Sequence, residues 1–329
     1  MSDLSTHYLG MKLKNPVIIS SSTLVQNIEG VREAAQSGAG AVVLRSLFEE
    51  LVREESEAHG PQMWSSHPEE YGYMMAELQL QYGPRNYLEL IKKAKSEVDI
   101  PIIASINCTT PKWWINYAQQ IEAAGADAIE LNISLMPIDP AKTSRDVEQE
   151  FLTVMKAARE NINIPIAVKL GPHFTSLSRF ANEICGSGID ALVLFNRFYQ
   201  FDIDIKEKKI VGANWYSSPH EMSRSLRWIS VLYKRVNCDL AANTGIHNGA
   251  DVIKQILAGA QVVEICSTIY LNGFGKVKDI LDELSDWMKS NHYASLDDFR
   301  GQLSLSRQKD SEAYERLQYI KALTGIEKK

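Results

Sequence analysis

Eight short apolar runs, most of them separated by a segment of helix length, constrain this chain more than any other feature. They are Val17–Ile18–Ile19, Ala41–Val42–Val43–Leu44, Ile102–Ile103–Ala104–Ser105–Ile106, Ala128–Ile129–Glu130–Leu131, Ile166–Ala167–Val168–Lys169–Leu170, Ala191–Leu192–Val193–Leu194, Leu240–Ala241–Ala242 and Val262–Val263–Glu264–Ile265. Runs so short and so rich in β-branched residues predict parallel strands covered on both faces. Several helix-sized segments stop on small residues before the next run, as at Ser37–Gly38–Ala39–Gly40, Gly125–Ala126–Asp127, Gly188–Ile189–Asp190 and Gly259–Ala260. Glycine just past a helix suits the left-handed capping position, so the pattern reads as repeated βα units. Eight such units predict a (β/α)8 TIM barrel rather than an open doubly wound sheet. The lack of a Gly-x-Gly-x-x-Gly after any run also speaks against a Rossmann domain. We expect one domain over residues 1–329, with a short N-terminal extension and a helical tail from about 305 to 329.

The 329 residues are 45% hydrophobic and 23% charged, which is ordinary globular composition with enough apolar material for a large core. Lysine and arginine number 35 against 41 acidic residues, a net charge of −6. That balance is wrong for a general nucleic-acid binder, which needs concentrated cations to displace counterions from phosphates. The cysteines at 108, 185, 238 and 266 form no Cys-x-x-Cys pair, so neither a structural zinc nor an iron–sulfur cluster held by this chain is expected. Four scattered thiols fit a reducing cytoplasm better than a disulfide scaffold. The N-terminus lacks the regions of a signal peptide, and the apolar stretch Ala191–Phe195 is far short of a membrane span. The expectation is a soluble cytoplasmic protein without membrane or nucleic-acid partners.

Two connections are too long for plain βα loops: residues 47–83, after the second run, and 195–222, after the sixth. Loops at the C-terminal ends of barrel strands build active sites, so both predict walls around a substrate. The charge run Glu49–Glu55 within the first is read as a solvated helix. Polar residues gather where strands end: Ser20–Ser21–Ser22, Arg45–Ser46, Asn107, Asn132–Ile133–Ser134, Asn196–Arg197, Asn243–Thr244–Gly245 and Cys266–Ser267–Thr268. Amides and cations on one mouth suit an anionic, heteroaromatic ligand. The loops after strands seven and eight, with Thr244–Gly245 and Cys266–Ser267, hold the usual phosphate site of such barrels. Lys169 lies inside an apolar strand, where a lysine costs several kcal/mol unless paired. Its expected partner is the electron-rich edge of a flavin, whose charge on reduction a fixed cation stabilises. His173 and His247 follow strands five and seven and read as hydrogen-bonded loop histidines, and Trp113–Trp114 as packing.

These residues, in this order, resemble the class 1 dihydroorotate dehydrogenases over nearly the whole chain. The resemblance rests on Asn15–Pro16, Arg45–Ser46 for Lys–Ser, Asn132–Ile133–Ser134 for Asn–Leu–Ser, Val168–Lys169–Leu170, Asn196, Thr244–Gly245–Ile246 for Gly–Gly–Ile, and the tail Tyr293 to Gly301. It implies FMN on the barrel's C-terminal face. Ser20, Ser21, Ser22 and Ser46 would face its ring or ribityl chain, Asn107 and Asn132 would bond ring or substrate, and Lys169 would lie near the pyrimidine edge. Backbone at Thr244–Gly245 and Cys266–Ser267 would hold the phosphate, with Arg45, Asn132, Asn196 and Arg197 on the substrate side. It also implies a homodimer through the 195–222 side. NAD-linked chemistry would need a partner subunit. Because the chain starts almost at the barrel, the membrane-associated helices of the quinone-using class are not expected.

Three departures from the family pattern matter. The base that follows Asn–x–Ser is a cysteine in the family, and here it is Leu135, which accepts no proton. Cys108 is the candidate substitute base. The family lysine after strand two is Arg45, of different geometry. A family loop with a substrate asparagine appears only as Gln79–Leu80–Gln81–Tyr82–Gly83–Pro84–Arg85–Asn86. The sequence therefore reads as an FMN-dependent oxidoreductase like dihydroorotate dehydrogenase, or a paralogue acting on a related small substrate. The alternative is a flavin-binding structural or regulatory subunit without dehydrogenase activity.

Overall fold

Side chains of a β-strand alternate between its two faces, so each apolar run has to satisfy two different neighbours at once. A computed structural model, describing residues 2–51, 83–110, 115–133, 135, 137–307 and 310–325, shows how. The eight runs become β3 (Val17–Ile19), β4 (Ala41–Val43), β6 (Ile102–Cys108), β7 (Ala128–Ile133), β8 (Ile166–Leu170), β9 (Ala191–Leu194), β12 (Asp239–Asn243) and β13 (Val262–Ile265). All pair in parallel, and the β4–β6 pairing closes the ring. The result is the expected (β/α)8 TIM barrel. One face of each strand packs Val17, Ile19, Val42, Ile129, Val168 and Leu192 outward against the helices. The other face fills the barrel with Ile18, Val43, Ile103, Ala128, Ala167, Val193, Ala241 and Val262.

Helices α1 (Ile28–Gln36), α2 (Pro84–Glu97), α3 (Ile115–Ala123), α4 (Ser144–Asn161), α5 (Leu177–Gly186), α6 (Met222–Leu232) and α7 (Gly249–Ala258) follow successive barrel strands. Beyond β13 come α8 (Ser267–Asn272), α9 (Lys276–Ser290) and α10 (Ser311–Thr324). Their ends obey local rules. Thr143 and Asp146 form a reciprocal capping box on α4, and Asn248 caps α7 by accepting from the Asp251 amide at 2.9 Å. The C-terminal α10 buries no residue, as a surface helix should.

Below the barrel, a hairpin of β1 (Thr6–Tyr8) and β2 (Met11–Leu13) plugs the N-terminal end with Tyr8, Leu9 and Leu13. Two motifs shared with the family resemblance prove to be fasteners. Asn15 accepts from the Val17 amide at 3.0 Å and donates to the Gly38 carbonyl at 2.7 Å. In the tail, Arg300 bonds the Ala260 carbonyl, Thr6 Oγ1 (2.9 Å) and Asp297 (3.0 Å), tying the helical turn Leu296–Asp298 to the hairpin.

Two expectations need correction. Glu49, the start of the charge run, is buried, and its carboxylate accepts from the Thr109 and Thr110 amides at 2.6 and 2.9 Å. It caps the loop after β6 instead of standing in solvent, because β5 (Leu47–Phe48) pairs with β6 and carries the chain alongside that loop. Residues 52–82 and 111–114, with Gln79–Tyr82 and Trp113–Trp114, lie outside the described residues. The second correction concerns the cysteines: Cys185 and Cys238 are joined, with Cα atoms 5.6 Å apart. The end of α5 and the start of β12 meet at the barrel's lower rim, which no spacing of 53 residues reveals.

Candidate active site

The polar residues of the strands fall on the barrel's inner face, in layers set by the two-residue period. Above the apolar floor come Ser20, Ser105, Glu130, Lys169 and Glu264. One step higher come Asn107, Asn132 and Asn243, with Asn107 and Asn132 side by side in register.

Lys169 is the centre of the lower layer and is almost fully buried. Its Nζ donates to Glu264 Oε2 at 2.8 Å, Glu130 Oε1 at 3.1 Å and Ser20 Oγ at 3.1 Å. Ser20 Oγ in turn donates to Glu264 Oε2 at 2.9 Å. The partners of the lysine within the protein are thus two carboxylates, where a flavin edge was the expectation from sequence. Both were legible by the rule that singled out Lys169, a charge inside an apolar run. Burial alone would push the lysine's pKa down, but attraction to Glu130 and Glu264 outweighs it and the shift is upward. Burial, then repulsion from Glu264, pushes Glu130 up to about 8 against the pull of Lys169.

A cavity of about 200 Å³ opens above this cluster. It brings together Ser20, Ser21, Lys169, Asn196, Arg197, Thr244, Gly245, Cys266 and Ser267 of the expected site, and adds Trp215 and Ser217 from the long loop after β9. Ser22, Ser46, Arg45, Asn107, Asn132 and Leu135 are not in its lining. Ser46 reaches it indirectly, lying 3.2 Å from Ser21 Oγ and 2.8 Å from Ser105 Oγ. Asn132 Oδ1 accepts from Asn196 Nδ2 at 2.9 Å, so these two amides act as one unit. The guanidinium of Arg45 sits 5.8 Å from the Phe48 ring centroid. Leu135, two residues past β7, is partly buried against the hydrophobic core. Cys108 ends β6, but its side chain and Ser134 lie outside the described residues.

A second cavity of about 610 Å³ shares Asn196, Arg197, Asn243 and Thr244 with the first. His173 lines it, stacked on Phe174 at 5.2 Å and lowered in pKa by burial, so this histidine reaches the mouth. His247 behaves as expected, its Nδ1 lying 3.2 Å from Thr268 Oγ1. Arg197 Nε donates to Glu221 at 2.8 Å. Ser217 bridges the loops after β12 and β13: its hydroxyl accepts from the Gly245 amide at 3.3 Å and its amide donates to Ser267 Oγ at 2.9 Å.

Gly245 has φ +77, and a Cβ there would stand 2.4 Å from the Met222 amide nitrogen and 2.9 Å from the Ser218 carbonyl oxygen. Both obstacles are backbone, so neither can swing aside. Gly245→Ala should therefore lower stability by about 1–3 kcal/mol and loosen the loop; thermal unfolding that matches the parent would refute this.

The donor set suits a flavin mononucleotide: a buried cation, small hydroxyls, paired amides and a glycine loop at one opening. Glu264, which lines this opening, has one buried carboxylate oxygen, Oε1, that receives no N–H or O–H donor from the protein. Among the described residues no cluster of metal ligands exists, and no helix is long and apolar enough to cross a membrane.

A solved dihydroorotate dehydrogenase from Eimeria tenella, in complex with ferulenol, superposes with a TM-score of 0.65 over 91% of this chain and 88% of its own, at 16% identity, a likeness of fold. The catalytic subunit of dihydroorotate dehydrogenase B (NAD(+)) from Methanocaldococcus jannaschii is 29% identical over 301 residues, covering 88% of this chain and 94% of that one. Its counterpart from Methanocella arvoryzae is 30% identical over 268 residues, covering 79% and 85%. A sequence model of dihydroorotate dehydrogenase matches residues 3–288, and this chain belongs to that family of oxidoreductases.

Proposed function

We propose that the protein is an FMN-dependent oxidoreductase that takes a hydride from dihydroorotate. The observation that carries this reading is the placement of Lys169 beneath a cavity shared by the Ser20–Ser21, Asn196–Arg197, Thr244–Gly245 and Cys266–Ser267 strand ends. When bound, FMN supplies the hydride acceptor. The chain's own residues do the rest. Thr244, Gly245, Cys266 and Ser267 bind the phosphate, and Ser20, Ser21, Ser22 and Ser46 line the ring and ribityl chain. Lys169 holds positive charge where electrons enter, and Ser20 fixes its direction. Asn107 and the Asn132–Asn196 pair orient ring and substrate edges. Arg197 attracts the substrate carboxylate, and Glu221 keeps the Arg197 fork in one orientation. The larger cavity beside Asn196 gives the substrate its way in.

The purified protein should be yellow, with non-covalent FMN that denaturation releases. A colourless protein that takes up no added FMN would contradict the reading. Leu135 favours a second reading, a paralogue acting on a related small substrate or serving as a flavin-binding subunit, because the family's proton acceptor is missing there.

We place the protein in the cytoplasm, as a homodimer formed through the hairpin of β10 (Phe201–Asp204) and β11 (Lys209–Gly212). That hairpin exposes Phe201, Ile203 and Ile210 at 65%, 58% and 68%, more apolar surface than a free edge ordinarily shows. Sedimentation giving a monomer at micromolar concentration would count against it. Reoxidation by NAD would take a partner subunit.

A further inference from the structure

Two carboxylates around one ammonium leave the barrel interior with an uncompensated negative charge. Glu130 and Glu264 are each 1% exposed, and Glu264 lies within hydrogen-bonding reach of Glu130 as well as of Lys169. Like-charged carboxylates this close do not both ionise freely. Glu264 Oε1 is buried and receives no N–H or O–H donor, and Glu264 is among the residues that line the cavity.

We propose that Glu130 and Glu264 hold one proton between them beside Lys169 at neutral pH, that this proton is released at alkaline pH, and that the ionised pair then takes one up from solvent when an electron pair enters the flavin bound in this mouth. The inference rests on the FMN reading for its second half only. Hydride transfer brings two electrons and one proton to the flavin and leaves a second proton to be placed. The carboxyl pair, ionised at high pH, then forms one O–H bond with a proton drawn from solvent, while the electrons stay on the flavin. Nothing in the cluster is oxidised or reduced.

The surroundings suit the task. From β3, Ser20 bonds both Lys169 and Glu264, and from β1 the buried Tyr8 phenol faces the two carboxylates, its own pKa raised by burial and then by their charges. Cys266 lies near Lys169 and Glu264, raised by burial, and Asp239 acts from the barrel's lower end through Tyr8. On the far side Tyr87 feels Glu130 and Arg45. Among these facing groups the cations are Lys169 and the more distant Arg45. With Glu130 pushed up to about 8, its carboxyl is poised to respond to a nearby added charge.

The test counts protons. Holoprotein is photoreduced anaerobically just above pH 8 in weak buffer with an indicator dye. The parent should take up more protons per electron pair, by a measurable fraction of one, than Glu264→Gln or Glu130→Gln, in each of which the remaining carboxylate forms a plain ion pair with Lys169. Equal counts would overturn the proposal. Should either variant fail to fold, the parent itself decides. Its flavin-free form should show the infrared carbonyl band of a buried protonated carboxyl at neutral pH, and absence of that band refutes the shared proton. A protein that binds no FMN would defeat the flavin reading, yet the infrared band would still stand or fall by itself.

Discussion

Lys169→Met destabilises the barrel by about 3–5 kcal/mol in urea unfolding, the loss expected when one partner of a buried ion pair is removed and the other is left without compensation. Here two partners are left, Glu130 and Glu264, with Ser20 as the remaining donor. The loss should grow with pH. In the parent, Glu130 titrates at about 8 against an ordinary carboxylate value of 4.5, so the folded state binds more protons than the unfolded chain between those values. Its contribution to stability is full below 4.5 and is lost as pH rises through about 8. Without the lysine, Glu130 loses the attraction that opposes its burial and is pushed higher still. Unfolding at pH 5 and pH 8 should therefore show a larger parent–variant gap at pH 8. An equal gap, or a variant as stable as the parent, would show that Lys169 does not hold the two carboxylates. Adding Glu264→Gln to the variant should restore part of the loss.

The second large effect belongs to Leu135. A positioned general base contributes typically ~10²–10⁴-fold, and a leucine contributes nothing of that kind. Dihydroorotate should consequently reduce the bound flavin slowly, and Leu135→Cys should accelerate reduction toward that factor, read by stopped-flow absorbance. Leu135 is partly buried against the core, so the smaller side chain leaves room for a thiolate without displacing β7. No acceleration would favour the paralogue reading. Fast reduction by the unmodified protein would mean that another residue accepts the proton, with Cys108 the first to replace.

The barrel itself was legible because its strands are buried on both faces. Each apolar run became a strand, and each glycine stop fell at a helix end. The plug was not legible: Thr6–Tyr8 and Met11–Leu13 are three residues each, too short for a period to register. At the site, the strand-end rule placed Ser20, Asn196, Thr244, Gly245 and Cys266 around one cavity, because parallel strands in a closed barrel end on one rim. Glu130 and Glu264 were missed although both carry the signal that marked Lys169. Their meeting depends on β7, β8 and β13 presenting charges at one height inside the ring, a matter of register that no local window contains. Ser217 and Trp215 gave no signal, since a long loop's return path to the loops after β12 and β13 is set by tertiary packing. The burial of Glu49 and the Cys185–Cys238 contact were misread for the same reason: the partner lies far along the chain.

The measurement that bears most directly on the proposed function is anaerobic mixing of FMN-loaded protein with dihydroorotate, followed through the flavin's visible absorbance. The account predicts that the absorbance falls with dihydroorotate and stays constant without it, slowly in the parent and faster in Leu135→Cys. An unchanged flavin spectrum in both proteins would contradict it.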